Sequence, residues 1–505
     1  MKGTAKSAIP SSLSPIARML TPRSVAVAGV SQTPGSLGGG VLLNLEKYDF
    51  KGDIHLIHPK RKEIGGRACV ASTRDLPDGV DCVVLAIPGA AVMDAVKGCA
   101  ERDVGGVIIF SAGFAEAGDE GRARQQELCE IAAGCNMAIA GPNCLGFVNN
   151  VAGICLTFSV VESRKPTRPG LAVVSQSGAM ASVVRAALDA RDVPVAMTVS
   201  TGNEAVNGAE DFIEHLLDEA HTSVIAVVAE QIRQPRRFLE LAARARTKGK
   251  PIVLLHPGRS RAAQQSAITH TGAMTGDWQV MRMLVTHAGV ALVETLDELI
   301  DVCEMLIRFP HLPTRGPVVL GESGAFKAMV LDLAEQAGLD LPAPEGETHA
   351  MLDSLAPGLI LPTNPVDLTA QPLVDPELYT KSLPTLVEDD AFGSLVIAMI
   401  LTSPAFVPRK AKPILDALKK IEVPKPIVFA MLGEDTPVPE DIIAAFRERD
   451  IPFIRSPDRV VRALAVVTRL GVAHEAKAPR IVEKSRPGIR LSQGVIPEHA
   501  AKQLL

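Results

Sequence analysis

The residue of this sequence best suited to covalent chemistry is His270, in the stretch GRSRAAQQSAITHTGAMTGD at residues 258–277. Small and hydroxyl-bearing residues surround it, a pattern that predicts neither a core strand nor an amphipathic helix. A neutral imidazole is a good nucleophile near pH 7, and a phosphorylated imidazole remains a reactive phosphoryl donor. These properties suit a phosphoryl relay; a loop histidine without chemistry is the alternative.

A phosphohistidine needs backbone amides that stabilise its phosphate, and the segment SQSGAM could supply them because it opens a helix directly after an apolar strand. A plain serine N-cap is the alternative explanation. The residues expected to bind phosphate here are Ser175, Gln176, Ser177 and Gly178.

Glu230 ends the apolar run SVIAVVAE, and sites in parallel sheets lie at the carboxyl ends of strands. Its carboxylate could hold one imidazole nitrogen and stabilise the charged ring while phosphate leaves. An exposed carboxylate at a strand end, without a role, is the alternative.

A second strand-to-helix junction with the same letters occurs in LGESGAFK at residues 320–327. Ser323 and Gly324 would open that helix. Glu322 places a carboxylate beside it, which is unfavourable near a phosphate unless the side chain turns away or is protonated.

Near the N-terminus, the strand that ends at Gly29 runs into the glycine-rich turn PGSLGGG at 34–40 and then into a helix. Such a turn lets backbone amides approach a phosphate. The strict Gly-x-Gly-x-x-Gly motif is absent. The second strand ends in His58-Pro59-Lys60, where a NAD-binding protein would have an acidic residue. A cation there suits the extra ribose phosphate of NADP or of coenzyme A, and a purely structural turn remains a further alternative.

These candidate residues lie on three blocks in which short apolar runs alternate with helical patterns, which predicts an α/β fold of parallel sheets. The first block is Rossmann-like, with strands at 24–30, 53–59, 81–88, 106–113 and 137–144. The second has strands at 171–176, 193–200, 223–230 and 251–257. The third has strands at 317–322, 393–403, 425–432 and 451–454. We expect domains at 14–150, 165–308 and 314–472, and a polar linker that leads into another domain at 473–505.

The composition excludes several functional classes. With 505 residues, 47% of them hydrophobic and only 3% aromatic, the chain predicts several α/β domains. A net charge of −5 gives a nucleic-acid partner little support. The 8 cysteines form no Cys-x-x-Cys pair, so we expect no metal site. Without an apolar leader or a membrane-length apolar run, we predict a cytoplasmic protein without a membrane partner.

The order of motifs in the first block resembles the CoA-binding domain of NDP-forming acyl-CoA synthetases and of the succinyl-CoA ligase α subunit. The motifs are SVAVAGVSQTPGSLGGGVLLNL, HPK, SAGFAEAG and GPNCLGFVN. The resemblance implies that the nucleotide end of CoA is held by Gly29, Ser31, Ser36, Pro59 and Lys60. It implies that the pantetheine path is lined by Ile87, Pro88, Ser111, Ala112 and Gly113, and that the thiol end lies near Asn143 and Cys144.

The stretch around His270 resembles the phosphohistidine loop of the same family, with Thr269 in place of the usual serine. Two further departures are His256-Pro257, where a lysine is common, and Ala263-Gln264, where Gly-Ala is common. The resemblance implies that His270 is phosphorylated and that Glu230 contacts it. It also implies two flavodoxin-like, succinyl-CoA ligase-like domains after the first, the second of which offers Ser323 and Gly324 to the same phosphate.

The implied reaction converts ATP, a carboxylic acid and CoA into acyl-CoA, ADP and phosphate. Relatives load the histidine with an ATP-grasp domain, which would use Mg²⁺, in cis or as a separate subunit. The final PEHAAKQLL resembles the start of that domain, and no Walker A motif occurs in the chain. The family is commonly oligomeric. The sequence leaves the nucleotide, ATP or GTP, and the direction of the reaction open.

The acid is not readable from the sequence, although the apolar surroundings of His270 favour a monocarboxylate such as a short-chain, aryl or hydroxycinnamic acid. The main alternative function is a CoA-sensing module of a protein acetyltransferase, but such modules typically lack the histidine. An NADP-dependent oxidoreductase is less favoured because no Tyr-x-x-x-Lys motif occurs and the chain has only 2 tyrosines.

Overall fold

The computed structural model of the chain describes residues 13–263, 277–421 and 425–476. Within them three mostly parallel sheets follow one another along the chain, each flanked by helices. The predicted α/β fold class, a Rossmann-like domain followed by two doubly wound flavodoxin-like domains, is confirmed. Every strand expected from the sequence is present, because continuous Val, Ile, Leu and Ala runs are the pattern of strands buried on both faces.

The first sheet has seven strands in the order β3-β4-β2-β1-β5-β6-β7, and only the β3–β4 pair is antiparallel. Its strands are β1 (Ser24–Ala28), β2 (Asp53–Ile57), β3 (Glu63–Ile64), β4 (Arg67–Val70), β5 (Cys82–Leu85), β6 (Gly106–Ile109) and β7 (Ala138–Ala140). Its helices are α1 (Pro15–Leu20), α2 (Leu37–Lys47), α3 (Gly89–Glu101) and α4 (Asp119–Ala133), with short 3₁₀ turns at Thr73–Asp75 and Ala115–Ala117. The strand order reverses between β1 and β5, which places the crevice for a ligand at their carboxyl ends.

The second sheet has the order β14-β13-β12-β10-β11-β8-β9. Its strands are β8 (Gly146–Asn149), β9 (Ile154–Leu156), β10 (Gly170–Ser175), β11 (Val195–Ser200), β12 (Thr222–Val228), β13 (Ile252–Leu255) and β14 (Ala291–Val293). Its helices are α5 (Gly178–Asp189), α6 (Ala209–Asp218), α7 (Pro235–Thr247), α8 (Trp278–His287) and α9 (Leu296–Arg308). The antiparallel hairpin β8–β9 forms its edge, and the expected domain boundary at residue 150 falls within this hairpin.

The third sheet is parallel, in the order β16-β15-β17-β18-β19. Its strands are β15 (Pro317–Gly321), β16 (Val366–Asp367), β17 (Ser394–Ile400), β18 (Ile427–Leu432) and β19 (Phe453–Ile454). Its helices are α10 (Gly324–Ala337), α11 (Gly346–Leu355), α12 (Glu377–Glu388), α13 (Val407–Leu418), α14 (Glu440–Arg447) and α15 (Pro457–Glu475), with a 3₁₀ turn at Gln371–Leu373.

The three sheets share hydrophobic cores, which holds them in one arrangement. One core joins residues of the first sheet, such as Val27, to residues of the second, such as Val174. Another joins the second and third sheets through α9 and α15. Between these helices Asp301 is 0% exposed and accepts hydrogen bonds of 2.7 Å from both Arg191 and Arg459. A carboxylate that deep is tolerated because two guanidinium groups compensate it.

The 8 cysteines all lie in described residues and are unpaired. No described helix combines the length and the apolar character needed to span a bilayer. Across residues 13–263, 277–421 and 425–476, no cluster of three or more His, Cys, Asp or Glu side chains could hold a metal ion.

Candidate active site

A cavity of about 320 Å³ lies where the carboxyl ends of the first and second sheets meet. It collects residues from both domains, including Asn143, Gln176, Ser177 and Glu230. In the second sheet the strand order reverses between β10 and β12, so the cavity occupies the switch point at which doubly wound sheets place their ligands.

The start of α5 forms one wall of this cavity. Ser177 is its N-cap and accepts a 3.3 Å hydrogen bond from the amide of Met180, while Ser177 and Gly178 both line the cavity. Ser175 is fully buried, and its hydroxyl donates to the carbonyl of Ser177 at 2.7 Å. Ser177 and Gly178 are therefore placed to offer the positive helix end to an anion, whereas the Ser175 side chain shapes the turn.

The Gln176 side chain clamps the end of β12. Its Oε1 accepts hydrogen bonds from the amides of Glu230 at 2.7 Å and Gln231 at 3.0 Å, and its Nε2 donates to the carbonyl of Gln231 at 2.7 Å. The side chain amide is thus engaged with backbone. The sequence prediction assigned the backbone amide of Gln176 to phosphate; that amide donates to the carbonyl of Val228 at 3.0 Å, and the side chain positions Glu230.

Glu230 follows β12 and lines the same cavity as the start of α5. Directly after the neighbouring strand β13, Nδ1 of His256 lies 2.6 Å from the carbonyl of Ala229. Because a carbonyl only accepts, the proton is on Nδ1. Burial lowers the pKa of His256, which keeps the ring neutral. His256 therefore anchors the start of the loop to the segment between β12 and Glu230.

The two described ends of the segment that carries the predicted nucleophile are in contact with each other. Arg259 lies over the ring of Trp278, 5.5 Å from its centroid, and also donates to Glu294 at 2.6 Å. Asp277 caps α8 by accepting from the amides of Gln279 and Val280. His270 itself, with Thr269, lies outside the described residues.

The loop Gly141–Cys144 reaches the cavity from the first domain. Asn143 and Cys144, which were predicted to lie near the thiol end of CoA, line it. The Cys144 thiol is buried and donates to the carbonyl of Ile109 at 3.4 Å, and burial raises its pKa to about 12. Cys144 is therefore a neutral packing group rather than a nucleophile.

The segment that follows β11 supports this loop. No role was predicted for that segment from the sequence. Gly202 has φ +59°, and a Cβ there would lie 2.4 Å from the carbonyl oxygen of Pro142, so only glycine fits. The adjacent Asn203 accepts from Asn143 at 3.3 Å and donates to Glu116. Glu116 also accepts from the amides of Gly113 and Phe114, and these hydrogen bonds lower its pKa against the effect of burial.

Glu204 and Arg233 complete the charged lining, and neither was predicted. Glu204 is 2% exposed, and its Oε1 accepts from the hydroxyl of Thr201 at 2.7 Å and the amide of Ala209 at 3.0 Å. Its Oε2 lies 3.7 Å from Nε of Arg233, and the guanidinium donates to the Glu204 carbonyl. Burial, with Glu210 nearby, raises the pKa of Glu204 to about 7.

The predicted nucleotide end of the CoA site lies at the switch point of the first sheet. Gly29 has φ +84°, and a Cβ there would lie 2.1 Å from the carbonyl oxygen of Ala86. Ser36 is the N-cap of α2, and its hydroxyl donates to the carbonyl of Ser31 at 2.9 Å. A Cβ on Gly38 would lie 2.6 Å from the Gly29 carbonyl oxygen. Helix and strand therefore approach as closely as they do around a bound phosphate.

The other predicted CoA residues lie on neighbouring loops at the same edge. Pro59 and Lys60 are exposed in a turn that His58 closes, with Nδ1 accepting from the amides of Lys60 at 3.1 Å and Arg61 at 3.0 Å. Ser111 donates to the carbonyl of Ile87, which joins the two loops of the predicted pantetheine path. That path comprises Ile87, Pro88, Ser111, Ala112 and Gly113.

The junction in the third sheet does not line the cavity. Ser323 caps α10 by accepting from the amide of Phe326 at 3.5 Å, and Gly324 is exposed at its first turn. Glu322 turns away from this helix start: it accepts from the hydroxyl of Tyr379 and from Nζ of Lys410, both at 2.6 Å. The unfavourable carboxylate noted in the sequence is thus buried in an ion pair.

Two family descriptions match the chain. Residues 23–150 match a CoA binding domain, and residues 168–306 match a succinyl-CoA ligase like flavodoxin domain. The sequence left NADP and coenzyme A open as ligands of the glycine-rich turn, and the match to a CoA binding domain supports coenzyme A.

The chain is 43% identical over 497 residues to a trans-feruloyl-CoA synthase from an unknown prokaryotic organism, with 97% of this chain and 69% of that protein covered. It is 31% identical over 452 residues to acetate–CoA ligase (ADP-forming) I of Archaeoglobus fulgidus, with 90% and 63% covered. It is 30% identical over 445 residues to acetate–CoA ligase (ADP-forming) II subunit alpha of Pyrococcus furiosus, with 88% and 95% covered. The chain thus spans nearly the whole alpha subunit but about two thirds of the other two relatives.

Among solved structures, the chain resembles a dinucleotide forming acetyl-coenzyme A synthetase 1 from Ca. Korarchaeum cryptofilum in complex with phosphate and ADP. The TM-score is 0.79 at 24% identity, with 90% of this chain and 97% of that chain covered, a likeness of fold. A protein from Pyrococcus horikoshii OT3 has a TM-score of 0.74 at 27% identity, with 90% and 99% covered.

Proposed function

Since this chain belongs to the family of ADP-forming acyl-CoA synthetases, we propose that it joins a carboxylic acid to coenzyme A through phosphorylated His270. The carboxylate attacks the phosphorus, His270 leaves, and an acyl phosphate forms. The CoA thiol then attacks the acyl carbon, and phosphate departs with the thiol proton. Each bond that breaks is replaced by one that forms, and no oxidant or reductant is needed.

The observation that carries this proposal is the cavity shared by the first two domains. Asn143 and Cys144 reach it from the CoA-binding domain, while Ser177 and Gly178 at the start of α5 reach it from the second domain. A thiol delivered by the first domain and a phosphate held by the second would therefore meet in one cavity.

Within this scheme Glu230 orients the imidazole of His270 and stabilises its charge as phosphate is transferred. The α5 helix start stabilises the phosphate. Gln176 acts indirectly, because its hydrogen bonds hold the backbone at Glu230. The third-sheet residues Ser323 and Gly324 remain candidates for a second phosphate contact.

We propose a monocarboxylate with an aryl group as the acid. Three large apolar side chains, Phe110, Leu145 and Phe158, line the cavity, and the two phenylalanine rings pack edge to face at 5.1 Å. Such a wall suits an aromatic ring. The name of one relative, a trans-feruloyl-CoA synthase, supports a hydroxycinnamic acid, whereas the names of two others favour acetate.

The phosphoryl donor in the proposal is ATP with Mg²⁺, used by an ATP-grasp domain in cis or on a separate subunit. Support comes from the lengths of the relatives: this chain covers 63% of one ADP-forming ligase but 95% of a protein named as an alpha subunit.

The reverse half-reaction tests the relay with this chain alone. The chain is incubated with radiolabelled phosphate and acetyl-CoA, benzoyl-CoA or feruloyl-CoA, without ATP. Phosphate attacks the thioester, CoA leaves, and His270 takes the phosphoryl group from the acyl phosphate. We expect an acid-labile, base-stable label that is strongest with feruloyl-CoA. In Glu230→Gln we expect labelling to slow by roughly 100-fold or more, the usual size of a lost acid–base contribution.

His270→Ala should take no label, whereas His349→Ala, which alters an exposed histidine on α11, should label like wild type. Label that persists in His270→Ala contradicts the assignment of the nucleophile. Binding of CoA by the wild-type chain without labelling from any of the three thioesters would favour the CoA-sensing alternative instead.

A further inference from the structure

Arg233 brings a guanidinium group into the cavity from the segment that follows β12. Its side chain is 36% exposed. Nη1 donates to the carbonyl of Glu204, and Nε lies 3.7 Å from Oε2 of the same residue. Among the described residues nothing accepts a hydrogen bond from Nη2. One edge of the guanidinium group is therefore held by Glu204 and the other is available to a ligand.

The charges around Arg233 make it the natural partner for an anion. Of the described side chains that line the cavity, Glu116, Glu204 and Glu230 are acidic and Arg233 alone is basic. Glu116 is already saturated by backbone amides and by Asn203. A carboxylate entering this space would meet acidic neighbours unless a guanidinium group paired with it, and guanidinium matches carboxylate geometry with two parallel hydrogen bonds.

Glu204 is built to hold Arg233 without neutralising it fully. Its Oε1 is fixed by Thr201 and by the amide of Ala209, whereas the buried Oε2 lacks any hydrogen-bond partner in the described structure. Oε2 of Glu210 is also buried without a hydrogen-bond partner in the described structure. Both Oε2 atoms lie close to Gly208, because a Cβ placed on that glycine would be 3.1 Å from Oε2 of Glu204 and 3.2 Å from Oε2 of Glu210. Two crowded carboxyl groups disfavour double ionisation.

We propose that Arg233 binds the carboxylate of the acid substrate, and then the acyl group of the acyl phosphate, while Glu204 positions its guanidinium. This inference rests on the proposed function and deepens it, because it names the residue that recognises the acid. One cation for one carboxylate also predicts a preference for monocarboxylates, because a second carboxylate would lie in a cavity lined by Glu230 and Glu204.

The pairing has a consequence for pH. Because the pKa of Glu204 is raised to about 7, its side chain is neutral below that pH and Arg233 carries an uncompensated charge. Above that pH the ionised Glu204 competes with the substrate for the guanidinium. Affinity for the acid should therefore fall as pH rises through 7. The charged or titratable groups around Glu204 are Glu210 on α6, Arg233 after β12, Glu116 and Glu230 across the cavity, and Cys129 on α4.

The test uses the phosphorylated chain. The enzyme is labelled from feruloyl-CoA and radiolabelled phosphate, desalted, and chased with CoA and increasing ferulate, benzoate or acetate. The rate of label loss against acid concentration yields a half-saturation value for each acid. In Arg233→Gln we expect that value to rise roughly 10- to 100-fold, the loss expected of a charge-assisted hydrogen bond. The rate at saturating acid and the half-saturation for CoA should change little.

Arg236→Gln is the matched control, because Arg236 is an exposed arginine three residues further on that does not line the cavity. It should behave like wild type. If Arg233→Gln keeps a half-saturation within twofold of wild type for every acid, or if both variants weaken it equally, the inference is wrong. A wild-type chain that takes no label contradicts the relay itself, so the two failures can be told apart.

Glu204→Gln tests the proposed competition between the ionised Glu204 and the substrate for Arg233, since glutamine can keep the contacts to Thr201 and Ala209 while removing the charge. In wild type the half-saturation for the acid should rise about two- to fivefold between pH 6 and pH 8, as expected for a partly solvated ion pair. In the variant it should stay at the low-pH value throughout. An unchanged pH profile in Glu204→Gln would refute this competition.

Discussion

Replacing Gln176 with alanine separates the two roles considered for this residue. The side chain makes three hydrogen bonds of 2.7–3.0 Å to the backbone of Glu230 and Gln231. At about 0.5–1.5 kcal/mol each, their loss amounts to about 1.5–4.5 kcal/mol. Because the site borders a cavity that water can enter, we expect the lower part of this range, about 2 kcal/mol. That corresponds to a fall in melting temperature of about 4–8 °C for a domain of this size.

The isosteric change Gln176→Glu makes the test sharper. A carboxylate can still accept from the amides of Glu230 and Gln231, but it cannot donate to the Gln231 carbonyl and instead opposes it with an oxygen. We expect a loss of stability close to that of the alanine variant, and for both variants a slower labelling from feruloyl-CoA and phosphate. Gln336→Ala, at an exposed position of α10, is the control and should change stability by less than about 0.5 kcal/mol.

The result that refutes this reasoning is specific. If the Gln176 side chain instead binds phosphate, Gln176→Ala should raise the half-saturation for phosphate about tenfold and leave the melting temperature unchanged. Thermal unfolding followed by circular dichroism, together with labelling at several phosphate concentrations, distinguishes the two outcomes.

Two further predictions concern buried groups. Lys410→Met leaves the carboxylate of Glu322, which is 5% exposed, without its cation, and should destabilise the chain by about 3–5 kcal/mol in urea unfolding; the double variant with Glu322→Gln should recover part of that loss. Equal unfolding midpoints for wild type and Lys410→Met would contradict it. Burial lowers the pKa of His256, so the folded state resists its protonation and stability should fall as pH drops below about 6.5. The wild-type melting temperature should therefore decline from pH 7 to pH 5.5 more steeply than that of His256→Gln.

The strand framework could be predicted because burial on both faces of a parallel sheet demands uninterrupted apolar runs, which are visible in the letters. The run at 223–230, for example, is β12 with the following Ala229 and Glu230. Six short strands were missed, namely β3, β4, β8, β9, β14 and β16, and the pair β8 and β9 shows why. Their residues follow directly on the first block in sequence, but they pair antiparallel with the second sheet, and no local pattern records which sheet a hairpin joins.

Residues that line the cavity were predictable where one residue type at a strand end carries the signal, as with Glu230 and with Ser177. Asn203 and Glu204 follow β11 by the same rule and could have been noticed in the segment STGNEAVNG. Arg233 offered no such signal, because it lies in a basic stretch of ordinary appearance and only its distance from Glu204 distinguishes it.

The sequence by itself determined the family, the order of the sheets along the chain and the residue types that the proposed chemistry requires, since these depend on local pattern and on motif order. Tertiary structure decided what each polar side chain contacts. It turned Gln176 toward the backbone of Glu230, buried Glu322 against Lys410, and paired Arg233 with Glu204 across 29 positions of sequence. The physical reason is that a buried polar group takes whichever partner the fold brings within about 3 Å, and separation along the chain does not specify that partner.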